Sequence, residues 1–215
     1  MWSLIQIELY KIFRRPRTYI AFGAIAALIV VIQFGLKIDG DAYAGFLIKD
    51  INDTLTVDGK VLNGYLICYI LLQLLLVHVP LLVALIAADM ISGEANLGTL
   101  RLLFTTPYSR THWVIAKFIA ASMYTILLLI WLAFLALFVS MWIFGTDDLF
   151  LMKSNYVVLI EQSDVLWRYV GAFVFASFSL LTVTSLGFLM SSLSSNSIGI
   201  ACLILFRSLC LLLLW

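Results

Sequence analysis

The sequence predicts an all-α polytopic integral membrane protein with about five transmembrane helices. Three observations carry this expectation. Apolar residue types make up 64% of the 215 residues and charged types 12%, whereas soluble domains sit nearer one half and one quarter. The apolar residues gather into runs long enough to cross hydrocarbon, which takes about 20 residues at 1.5 Å rise each. The short alternating segments that would build a transmembrane barrel are not seen.

Residues 1–17 read as a helix lying on the bilayer. Trp2, Ile5, Leu9, Ile12 and Phe13 fall on one stripe at helical spacing, with Glu8, Lys11, Arg14 and Arg15 off it. Pro16 ends the segment, because proline removes a donor and clashes inside a helix. An ordinary basic flank accounts for the cations equally well. The Trp-led stripe favours an interfacial helix, with Trp2, Lys11, Arg14 and Arg15 anchoring it to the headgroups of the lipid bilayer.

The spans follow in order at 18–36, 64–88, 113–144, 166–190 and 198–215, within one transmembrane domain covering 1–215. The first imitates a signal peptide, with Ala42-Tyr43-Ala44 as the cleavage site. Its apolar run is too long, however, and Lys37, Asp39 and Asp41 intervene. Asp39–Asp50 imitates a calcium loop but has Tyr43 and Ala44 where an acid and a glycine are needed, and reads as a solvated acidic loop. With the N-terminus cytoplasmic, Lys11, Arg14, Arg15, Arg17, Arg101, Arg110 and Lys117 lie inside. Lys37, Lys49, Lys60, Lys153 and Arg168 lie outside. That orientation leaves 89–112 in the cytoplasm.

Several function classes are excluded. A net charge of +1 gives no sign of a nucleic-acid partner. His78 and His112 have no Cys or carboxylate partners at metal spacing, and the three cysteines lie in apolar runs. There is no G-x-S-x-G elbow and no G-x-x-x-x-G-K-[ST] loop, so the chain is not expected to be an enzyme or to hydrolyse ATP itself. A proton or ion path would mark its spans with ionisable residues. Only Arg207 sits deep in one, where an isolated arginine costs about 3 kcal/mol and calls for a further helix or a partner.

The informative stretch is 89–112. Ser92 is expected to cap a helix that runs to Pro107, with Glu94 in its first turn. On that helix Glu94, Gly98, Arg101 and Thr105 share one face and Leu97, Leu100, Leu103 and Phe104 another. Gly98 costs about 1 kcal/mol in a helix interior, a position often kept where another surface comes close. Docking to a partner and resting on the membrane surface are equally open on physical grounds.

The order Glu94-x-x-x-Gly98-Thr99-Leu100-Arg101-x-Leu103, then Pro107-Tyr108-Ser109-Arg110 and Lys117, resembles the cytoplasmic loop of ATP-binding-cassette permeases of the type-2 exporter family. The resemblance covers about residues 1–200, including the order of interfacial helix, span, external loop, span and loop. It implies that 89–112 holds a coupling helix, with Glu94, Gly98, Thr99, Leu100 and Arg101 transmitting the work of a separate nucleotide-binding subunit. ATP and Mg would bind that partner and no cofactor this chain. It further implies a second permease subunit, as a homodimer or heterodimer, export as the activity, and the bacterial cytoplasmic (inner) membrane as the location. The family fold has six spans, so a chain stopping at Trp215, inside or at the end of the fifth, reads as a C-terminally truncated or frameshifted product. The competing reading is a non-transporting membrane scaffold or assembly protein whose 89–112 loop binds another cytoplasmic partner.

Overall fold

The computed structural model describes residues 1–48, 63–96, 98, 109–153 and 156–193. The helices are α1 (Trp2–Arg14), α2 (Pro16–Ile48), α3 (Gly64–Asp89), α4 (Ser92–Asn96) and α5 (Arg110–Ala133). A π-helical turn (Phe134–Val139) then leads into α6 (Ser140–Phe144), and a hairpin of β1 (Leu149–Lys153) and β2 (Tyr156–Ile160) precedes α7 (Gln162–Leu193). Among the described residues, four stretches are long and apolar enough to cross a membrane: Pro16–Gly40, Gly64–Asp89, Arg110–Phe144 and Gln162–Leu193. The fifth expected span, 198–215, lies outside the described residues. Large apolar side chains such as Trp142, Trp167 and Phe175 point away from the protein, as expected where the solvent is lipid.

The corner between α1 and α2 follows from one proline. A residue before proline is pushed out of the helical region, and Arg15 is extended at φ −82°, ψ 130°. Pro16 then serves as the first residue of α2, where its missing N–H would have had no partner anyway. Thr18 Oγ1 donates to the Ile12 carbonyl at 2.5 Å and closes the corner.

Two elements depart from the sequence expectation. Helix α2 continues to Ile48, through what was read as the start of a solvated acidic loop. A helix already formed propagates at little cost through residues such as Ala42 and Ala44, so its end need not coincide with the end of the apolar run. The stretch 145–165 contains an antiparallel hairpin, registered from Leu149 opposite Ile160 to Lys153 opposite Tyr156. Among the described residues the all-helical class holds for the four candidate spans, with this hairpin added.

The long helices contribute to two compact units. One contains the described parts of Met1–Gly23, Leu76–Leu129 and Phe175–Trp215. Small residues let its helices approach closely: a Cβ on Gly187 would meet the Ala87 Cβ at 3.0 Å. Thr125 and Thr184 hydroxyls bond across α5 and α7 at 2.9 Å, and Phe118 meets Phe188 edge-on.

The other unit contains Ala24–Leu75 and Ile130–Val174. Asn63 caps α3 by accepting from Leu66 N–H at 2.8 Å, while its amide donates to the Asp147 and Asp148 carbonyls. Gly64 packs so tightly that a Cβ there would lie 2.7 Å from both Met141 Cα and the Ser140 carbonyl oxygen. Buried Gln33 donates to Ser140 Oγ at 2.9 Å and to the Leu135 carbonyl at 3.4 Å. A π turn displaces the regular i to i+4 pairing, and Gln33 supplies a donor to one of its carbonyls.

Candidate functional site

In the first unit, three stretches distant in sequence meet through charge. Glu8 of α1, Glu94 of α4, Lys117 of α5 and Lys11 of α1 form a closed ring. Lys117 Nζ lies 2.8 Å from Glu8 Oε2 and 2.8 Å from Glu94 Oε2. Lys11 Nζ lies 2.8 Å from Glu8 Oε1 and 3.3 Å from Glu94 Oε1. Each ammonium thus touches both carboxylates, and the four formal charges sum to zero. Glu8, Glu94 and Lys117 are buried, and Lys11 retains about a third of its side-chain exposure. Trp113 floors the ring, its centroid 4.9 Å from Lys11 Nζ and 5.2 Å from Lys117 Nζ, within the range of a cation–π contact.

Buried charges persist only where they are mutually paired. The ring therefore acts as a joint: α1, the start of the 89–112 loop and the head of α5 cannot separate without stranding a charge. A second joint lies beside it. Asp89, at the end of α3, accepts from Arg17 Nη1 at 2.9 Å and lies 3.6 Å from Arg15 Nη1. The buried Ser191 hydroxyl of α7 accepts from the backbone N–H groups of Ser92 at 3.0 Å and Ile91 at 3.3 Å, and donates to the Ala88 carbonyl. The loop is thus held where it leaves α3, by groups from α1, α2, α5 and α7.

This geometry alters several sequence expectations. Glu8 lies off the apolar stripe that the sequence marks on α1, yet it is buried. The face that is buried carries Leu4, Ile5, Glu8 and Ile12, because Glu8 has two ammonium partners. Trp2 and Arg14 stay exposed, while Lys11 and Arg15 turn toward acids of the chain itself. Ser92 does not cap α4; its hydroxyl donates back to the Ala88 carbonyl at 2.6 Å and closes α3 instead. The helix expected to run from Ser92 to Pro107 is interrupted, since α4 ends at Asn96 and Gly98 adopts φ +70°. A left-handed glycine is a common way to end a helix. Among the described residues a Cβ on Gly98 would meet nothing within 4 Å, and the positive φ is what calls for glycine there. The face shared by Glu94 and Gly98 on a continuous helix is lost. Thr99, Leu100 and Arg101 lie outside the described residues.

The sequence carried one hint of the ring, the i, i+3 spacing of Glu8 and Lys11. Nothing local marks the pairing of Glu8 with Lys117, 109 residues away.

The family model described as ABC-2 family transporter protein matches residues 2–213, nearly the whole chain. The chain belongs to the ABC-2 transporter family. No curated protein matches it. This ABC-2 permease is an integral membrane component of an ABC transporter and not itself the ATPase. Membership implies association with an ABC ATPase subunit and with the membrane. The ring is then the point where the loop between the second and third spans of the permease joins its N-terminal helix.

Proposed function

We propose that this permease is the membrane-spanning subunit of an ATP-driven exporter, and that the 89–112 segment couples it to hydrolysis on the separate ATPase. The N-terminus and this segment face the cytoplasm across a bacterial inner membrane. A second permease subunit, identical or not, completes the pathway. The observation that carries the reading is the buried ring. A load applied to the loop near Glu94 reaches α5 through Lys117 and, through Lys117 and Glu8, α1, because none of these three buried charges can leave without stranding another. In this reading Glu94 holds the base of the loop. Gly98, Thr99, Leu100 and Arg101 present the surface that meets the partner. Trp2 and Arg14, with the stems of Lys11 and Arg15, set α1 at the headgroups.

Affinity purification of the full chain, with identification of the copurifying nucleotide-binding protein, tests the pairing. Gly98→Trp is expected to leave membrane insertion intact while abolishing coupling between ATP hydrolysis and transport in the reassembled complex. A Gly98→Trp complex that stays coupled refutes the role given to this surface. A chain that copurifies with a cytoplasmic protein lacking a phosphate loop would instead be a scaffold.

A further inference from the structure

We infer that the corner between α1 and α2 holds a binding site for the phosphate of an anionic glycerophospholipid, gripped by Arg15 and Arg17 against the end of α3. Beside Asp89 lies a shallow notch of about 10 Å³, open on one side, lined by Ile12, Leu85, Ile86 and Met90, with Arg15, Arg17, Thr18 and Asp89 as its polar groups, so a bound phosphate would sit at its rim. Its position and its chemistry both point to lipid. One wall is the last turns of an apolar helix that ends at Asp89, and the other is the first turn of a span that starts at Pro16. The recess therefore sits where hydrocarbon gives way to headgroups.

The arginines carry more donors than the described residues accept. Each guanidinium has five N–H groups. Among the described residues, Arg17 gives one hydrogen bond, to Asp89 Oδ2 at 2.9 Å, and Arg15 gives one, to the Asp89 carbonyl at 3.4 Å. Two guanidiniums face one carboxylate, which leaves an excess charge of +1 at the rim. A guanidinium presents parallel N–H groups that match two phosphate oxygens. Pro16 fixes the Arg15 backbone in an extended conformation, which sets the direction in which its side chain leaves the corner. The apolar wall of Ile12, Leu85 and Ile86 suits the glycerol and first methylenes of an acyl chain and offers nothing to a free phosphate ion. A headgroup with no cation of its own, such as phosphatidylglycerol, leaves its phosphate charge for the excess at the rim. Phosphatidylcholine carries its own compensating ammonium.

The inference rests on the reading that α1 lies at the headgroups, and the test separates the two. The full chain, purified in detergent, is titrated with phosphatidylglycerol, phosphatidylcholine or inorganic phosphate, and retained lipid is read by native mass spectrometry alongside the melting temperature. Phosphatidylglycerol is expected to be retained and to raise the melting temperature, with the other two having little effect. Arg15→Gln and Arg17→Gln should each weaken retention about fivefold, the usual contribution of one cation near an anionic surface. Asp89→Asn should strengthen it by removing the competing carboxylate. Arg168→Gln, in the other unit, should change nothing. Equal retention of phosphatidylcholine, equal stabilisation by inorganic phosphate, or indifference to both arginine substitutions overturns the site. The placement of α1 is tested apart, by thiol labelling of Ser3→Cys in sealed vesicles with and without lipid-phase quenchers. A Ser3→Cys label far from the headgroups overturns that placement whatever the lipid titration shows.

Discussion

Lys117→Met puts the ring to its most direct test. The substitution keeps most of the side-chain volume and removes the charge that faces Glu8 and Glu94, each at 2.8 Å. At an effective dielectric of 20, one such contact attracts by about 6 kcal/mol. Two are lost, offset by the desolvation no longer imposed on the ammonium. Measured costs of breaking a buried pair from one side are about 3–5 kcal/mol, and that is the expected loss here. For a chain of this size it corresponds to a fall of roughly 6–20 °C in melting temperature. The assay is thermal unfolding of the purified full chain in detergent, followed by loss of monodisperse protein. The further changes Glu8→Gln and Glu94→Gln should restore most of the loss, because Lys11 retains partial exposure and tolerates losing its partners. Lys117→Met melting with the parent refutes the ring as a joint. A triple variant as unstable as the single one shows that lost packing, and not stranded charge, was responsible.

Three further outcomes follow from the same structure. Gly64→Ala forces a methyl within 2.7 Å of backbone atoms of Ser140 and Met141; overpacking of this kind costs about 1–3 kcal/mol, visible as a lower melting temperature. Gly98→Ala introduces strain at φ +70° worth about 1–2 kcal/mol, while Gly98→Asn, which tolerates that conformation, should melt closer to the parent. Gln33→Leu strands the Leu135 carbonyl and the Ser140 hydroxyl at about 1–3 kcal/mol, and hydrogen exchange across Phe134–Val139 should quicken.

The spans were legible because the bilayer demands length and grease together, and four of the expected runs coincide with helices of the right extent. Pro16 was legible as a break, though not as the first residue of the next helix. The hairpin left a signal that the apolar runs obscured. Two five-residue stretches, Leu149–Lys153 and Tyr156–Ile160, flank Ser154-Asn155, and a two-residue polar spacer between apolar strands is a hairpin pattern. The helical wheel put Gly98 inside a helix, and periodicity cannot reveal the left-handed conformation that the residue adopts. Glu8 was the costliest omission. A carboxylate on a short basic helix reads as solvated, and only the tertiary fold brings it an ammonium from α5. The loop motif lies on the stretch that leaves α3 at Asp89, while the residues that hold the start of that stretch, Glu8, Lys117 and Ser191, belong to other elements.

The ring also imposes a timetable. Glu8 leaves the ribosome 109 residues ahead of Lys117, which at about 5–20 residues per second is roughly 5–20 s of synthesis. Glu94 follows late in that interval, still before its lysine from α5. Until α5 arrives, the N-terminal helix has no buried place for its acid and must wait in a hydrated setting. Its docking is therefore a late event, completed only after the third long apolar helix has begun, and a chain interrupted before Lys117 would leave Glu8 and Glu94 competing for one ammonium.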